Sequence, residues 1–121
     1  MNRDMELIRK ILLFVESIDN AGRLEPLEFE GYSQDAIYHH TRMLIEQGYL
    51  REKGGVSFSM DGVSIGGSAM TYNGYDFLDA ARNDTVWRKA INKVSSTVGS
   101  TSMAVVKSLL EDYARQQLGM S

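Results

Sequence analysis

The segment Ser33–Leu50, SQDAIYHHTRMLIEQGYL, constrains the fold more than any other part of the chain. Ile37, His40, Leu44 and Gly48 recur at three- and four-residue intervals, the spacing that lines up one face of a helix. Ser33 has the hydroxyl that caps a helix N-terminus, and Gly48 can adopt the left-handed conformation that ends one. The spacing therefore predicts one amphipathic helix that stops at Gly48 and hands over to a strand beginning at Tyr49–Lys53. Its buried face takes Ile37, Leu44 and either His40 or Thr41. Its outer face shows Gln34, Asp35, Tyr38, His39, Arg42 and Met43.

A helix of this kind needs a partner, and the N-terminal segment supplies one. Asp4 can cap it, Glu6 suits the positive end of its dipole, and Leu7, Ile8, Ile11, Leu12, Phe14, Val15 and Ile18 make a broad apolar stripe. Asp19-Asn20-Ala21-Gly22 ends that helix with turn residues. Leu24 to Phe29 contains the only proline, Pro26, and alternates with Leu27 and Phe29 on one side, as expected of an edge strand. Val56, Phe58 and Met60 alternate with Ser57 and Ser59, Asp61-Gly62 is a two-residue hairpin turn, and Val63 and Ile65 begin the return strand. Gly66-Gly67 marks a bulge or bend.

Three more helices follow. The first starts at Thr71 with Tyr75, Phe77, Leu78 and Ala81 inward. The second is capped by Asn83 or Asp84 and has Val86, Trp87, Ile91, Val94 and Val98 on one stripe. Gly99 breaks it. The third is capped within Ser100–Ser102 and has Val105, Val106, Leu109, Leu110, Tyr113 and Leu118 as its apolar face.

Two patterns resemble bacterial winged-helix repressors. Ile37, His40, Leu44 and Gly48-Tyr49-Leu50 are similar to the end of their recognition helix. Met70-Thr71-Tyr72-Asn73-Gly74-Tyr75-Asp76-Phe77-Leu78 is similar to the segment that closes their wing. Over nearly its full length the chain also resembles a small bacterial and prophage family, domain of unknown function 2513. The matching residues are the opening run Asn2 to Leu12, Gly31-Tyr32-Ser33 with His40, Gly74 to Asp79, and Asn83 to Trp87. The resemblance implies a winged-helix fold and a bacterial or phage origin, and brings no catalytic residues with it. The expected fold class is α+β: a winged helix (helix, edge strand, helix, two-stranded wing) followed by three C-terminal helices. The 121 residues read as a single domain, 1–82 the winged-helix core and 83–121 a helical extension.

The absence of cysteine excludes disulfides, thiolate catalysis and Cys-based zinc sites, and fits a cytoplasmic setting. No apolar run approaches the ~20 residues that span a bilayer, and the charged start (Arg3, Asp4, Glu6) is not a signal peptide, so no membrane partner is expected. With 13 basic and 16 acidic residues the net charge is −3, so any nucleic-acid face must be local.

On such a face Gln34, Tyr38, His39 and Arg42 would come from the recognition helix, and Lys53, Ser57 and Ser59 from the wing, with Arg42 able to clasp guanine. Against this, acids at 25, 28, 30, 35, 46 and 52 outnumber Arg42, Arg51 and Lys53 locally. Asp19 to Tyr32 also leaves no room for the short helix that normally precedes a recognition helix.

His39 and His40 diverge by ~100° around the helix and cannot share a metal; Asp35 with His39 offers only two ligands. The glycines at 54, 55, 62, 66 and 67 lack the lysine of a phosphate-binding loop and belong to the wing. No nucleophile or carboxylate pair stands out, so neither an enzyme nor a cofactor is expected. On the C-terminal helices Arg82, Arg88, Lys89 and Lys93 form a cationic cluster opposite Trp87. With Val106 and Leu110 they are the candidates for partner binding, including a homodimer. Two functions follow: a transcriptional regulator that binds double-stranded DNA through Ser33–Gln47 and the Val56–Ile65 wing, or a protein–protein interaction module that keeps the scaffold without DNA reading.

Overall fold

The computed structural model describes residues 3–18, 23–97 and 102–119. Among these residues it is a mixed α+β structure of five α-helices and a three-stranded antiparallel sheet. The chain divides into two compact units, one spanning Asp4–Tyr75 and the other Asp76 onward with the first three residues. No helix among the described residues is long and apolar enough to cross a membrane.

In the first unit, α1 (Met5–Ser17) starts where Asp4 accepts a hydrogen bond from Leu7 N, as a cap should. Leu7, Ile8, Ile11, Leu12 and Val15 are buried along one stripe. Helix α2 (Gln34–Glu46) starts at Ser33, whose Oγ accepts from Ala36 N, and closes before Gly48 at φ 82°. Its buried face holds Ile37, Leu44 and both His40 and Thr41.

Two polar side chains on that face are tolerated because each is paired. Thr41 Oγ1 donates to Ile37 O at 2.7 Å. His40 Nδ1 lies 2.8 Å from Ala36 O, and its Nε2 lies 2.9 Å from Asp4 N. A carbonyl can only accept and an amide N–H can only donate, so His40 is the neutral Nδ1–H tautomer. This one ring ties the start of α1 to the middle of α2. Asp4 also takes a hydrogen bond from Tyr32; burial first, then the Asp4 carboxylate, raises the Tyr32 phenol above its ordinary 10.0.

The sheet runs β1 (Glu25–Pro26), β3 (Gly62–Ile65), β2 (Val56–Ser59). Pro26 sits on the edge strand as expected, opposite Ser64, and Leu27 N continues the pairing onto Val63 O at 2.8 Å. Several expectations shift. Tyr49–Lys53 is not a strand but an isolated bridge, Leu50 with Met70. The hairpin loop is Met60-Asp61, one residue earlier than expected, because Ser59 pairs with Gly62. Both loop residues keep negative φ and Gly62 takes the positive one, φ 130°. The glycine thus follows the two loop residues instead of occupying the loop. Met60 therefore leaves the alternation of Val56 and Phe58 and is fully exposed. Gly66-Gly67 leads into a short 3₁₀ turn, Gly67–Ala69.

Helix α3 (Tyr72–Ala81) is capped by Thr71, whose Oγ1 accepts from Gly74 N and donates to Gly48 O. Gly74 lies inside this helix because a Cβ there would clash with the Tyr49 carbonyl oxygen. Phe77, Leu78 and Ala81 are buried, but Tyr75 is 44% exposed, contrary to the inward position its spacing suggested.

In the second unit α4 (Asp84–Thr97) packs on α5 (Met103–Gln117). Asn83 caps α4 through Val86 N, and Ser102 caps α5 through Val105 N. Val86, Trp87, Ala90, Met103, Val106 and Leu110 are buried; Val105 and Leu118, assigned above to the inner face, are exposed. Val98, Gly99, Ser100 and Thr101 lie outside the described residues.

Two stability predictions follow. His40→Leu keeps the volume but leaves the Asp4 N–H unpaired, and should lower the urea-unfolding free energy by about 1–3 kcal/mol. Because the Tyr32 pKa is raised on folding, its contribution is complete below pH 10.0 and is lost as pH rises through the folded value. A 295 nm alkaline titration should therefore lose a late-ionising phenol in Tyr32→Phe.

Candidate functional site: the cleft between α2 and the hairpin

Within the first unit an open cleft of about 520 Å³ lies between the outer face of α2 and the β2–β3 hairpin. Gln34, Asp35 and Tyr38 line it from the helix; Phe58, Ser59, Met60, Gly62 and Val63 line it from the hairpin. Three nucleic-acid candidates, Gln34, Tyr38 and Ser59, come together here. Of the rest, Asp35, Phe58 and Met60 were not singled out as binding residues. Phe58 could have been: in β2 its side lies between Ser57 and Ser59, the face opposite two exposed serines.

The aromatic walls of the cleft are braced by Arg42. Tyr38 and Phe58 meet edge to face at 5.2 Å and 74°. Arg42 lays its guanidinium over Phe58 at 4.3 Å and over Tyr38 at 5.6 Å. It also donates from Nη1 to Glu52 at 3.1 Å, and from Nε to the Tyr38 hydroxyl at 3.4 Å. The Tyr38 hydrogen bond first, and Glu52 after it, raise the Arg42 pKa further above its ordinary value, so the group is always a cation. Gln34 is likewise engaged. Its Nε2 donates to Leu27 O at 3.1 Å, and its Oε1 occupies the space a Cβ on Gly62 would need, 2.6 Å away.

The other expected contacts are dispersed. His39 Nε2 lies 3.5 Å from Asp35 Oδ1, two largely exposed groups whose attraction is weak in water. Ser59 Oγ closes its own turn, accepting from Asp61 N and donating to Gly62 O. Lys53 and Ser57 are exposed and do not line the cleft. Among the described residues no group of three or more His, Asp or Glu side chains is placed to hold a metal ion.

The partner-binding candidates of the second unit fare differently. Val106 and Leu110 are fully buried and cannot be presented to a partner while the fold is intact. Their i,i+4 spacing marked an apolar face, and that face is consumed as core. Arg82 pairs with Asp79 at 2.6 Å, and Lys89 lies over the Tyr113 ring at 4.6 Å. Arg88 and Lys93 are exposed on α4. Lys107 pairs with Asp76.

These features define a small mixed α+β protein with a braced aromatic cleft beside its second helix. The chain belongs to the family described as Hypothetical protein (DUF2513), which it matches over residues 2–101. An uncharacterized protein of Haemophilus influenzae (strain ATCC 51907 / DSM 11121 / KW20 / Rd) is 30% identical over 120 residues, covering 98% of this chain and 99% of the relative. No solved structure matches.

Gly62→Ala should test how the hairpin is held against α2. Its positive φ and the Gln34 amide both oppose a Cβ, so about 1–3 kcal/mol of stability should be lost in urea melts.

Proposed function

We propose that residues 4–75 form a winged-helix-type scaffold whose α2–hairpin face binds another protein instead of reading DNA. The order helix, strand, helix, hairpin, with the hairpin's return strand paired to the strand before α2, supports the scaffold. The observation that carries the functional reading is the state of Arg42. It is the cation best placed on α2 to reach a base edge or a phosphate, and it is already stacked on Phe58 and paired to Glu52. Its Nε and Nη1 donors and one ring contact are therefore already engaged within the chain, which weakens its offer to a base or a phosphate. Two further features point the same way. The cleft has a carboxylate and no lysine or arginine among its lining residues. Residues 23–32 hold only β1 and a turn, so no described helix takes the position that normally crosses the phosphate backbone before a recognition helix. On this reading the protein is a binding module, without catalysis.

Fluorescence anisotropy with a labelled random duplex, at low and at physiological salt, tests the choice. No binding at low salt is expected. Binding with a linear log–log salt dependence, weakened by Arg42→Ala, would restore the regulator reading.

A further inference from the structure

We infer that the α2–hairpin cleft takes a basic–apolar segment of the partner, with an arginine lying across Tyr38 and its guanidinium paired to Asp35. This deepens the interaction-module reading and rests on it.

The apolar share of the site is large and uncovered. Tyr38 is 36% exposed, and Met60 at the hairpin tip is 105% exposed, as open as an isolated residue. Val63 and Phe58 form the floor. A volume of about 520 Å³ suits a few side chains and is within the range of ordinary ligand pockets.

The polar share has one sign. Among the described residues Asp35 is the only charged group in the lining; its side chain is 85% exposed, and His39 at 3.5 Å holds it only weakly. Asp61, exposed at the hairpin tip, adds a second carboxylate nearby in the chain. A purely apolar occupant would strip water from Asp35 without pairing it, which is unfavourable. An acidic or phosphorylated occupant would be repelled. A side chain with an aliphatic stem and a cationic head satisfies both halves of the cleft.

Arginine fits better than lysine, because its planar head stacks on aromatic faces as well as pairing with carboxylates. The chain already contains an example of that chemistry. Arg42 holds its guanidinium 4.3 Å over Phe58, a member of the same aromatic pair.

The test is a ¹H–¹⁵N and methyl NMR titration of the full chain with the peptide acetyl-Ala-Leu-Arg-Leu-Ala-amide. Parallel titrations replace the arginine by norleucine or by glutamate. Shifts confined to the amides of Gln34–Tyr38 and Ser59–Val63 and to the Met60 methyl are expected. The glutamate peptide should bind more weakly. Asp35→Asn should weaken the arginine peptide about three- to fivefold, the scale of one exposed charge pair. Asp35 is exposed and Met60→Ser removes only a rim contact, so both variants should fold; the second should weaken all three peptides alike.

The inference is overturned if none of the peptides shifts these residues, or if Asp35→Asn binds the arginine peptide as the native chain does. Equal binding of the norleucine peptide also overturns it, while leaving the interaction module standing. A random duplex that shifts the same amides at low salt would instead remove the module reading itself.

Discussion

A single imidazole holds the first unit in register. His40 accepts the Asp4 N–H through Nε2 and donates to its own helix through Nδ1, in a position that is only 2% exposed. Asp4 is itself the cap of α1 and the acceptor for Tyr32, so one residue joins the start of α1, the middle of α2 and the turn before α2. An apolar side chain at position 40 could fill the space but could not fix the relative slide of the two helices. Hydrogen bonds to a fixed tautomer can, because they are directional. The outer face of α2, and every side chain that lines the cleft from it, inherits its orientation from this junction.

From that face outward the chemistry is decided by how charges are used. Arg42 and Glu52 are paired with each other outside the lining, and Asp35 is the charged residue that lines the cleft. Of the acidic residues noted in the sequence, Asp35 is the one that lines the cleft, beside two rings. On the proposed reading, such a surface favours cationic, amphipathic groups over a phosphate backbone.

Much of the architecture was legible because it is periodic or capped. Asp4, Ser33, Asn83 and Ser102 all cap the helices expected of them, and Pro26 lies on an edge strand. The hairpin was legible to within one residue. Asp61-Gly62 looked like the turn itself, but Gly62 pairs with Ser59, and Met60 moved from strand to tip. That one-residue slip matters for the site, since it turns an expected core-side residue into the most exposed apolar group on the cleft. The partnership of Arg42 with Phe58 and Glu52 was not legible: it joins residues 10 and 16 positions apart through a loop whose path local patterns do not specify. Nor could periodicity say that Val106 and Leu110 would be used up as core, because an apolar stripe looks the same whether its partner is the same chain or another.

The commitment of Arg42 is the claim on which the functional account turns, and its side-chain NMR signals report it directly. A guanidinium held over Phe58 should show δ and ε protons shifted upfield by the ring current, an Nε–H that exchanges slowly with water, and loss of the shift in Phe58→Leu. Arg42 signals at ordinary, averaged positions with fast exchange would mean a mobile, available cation, and would contradict the account.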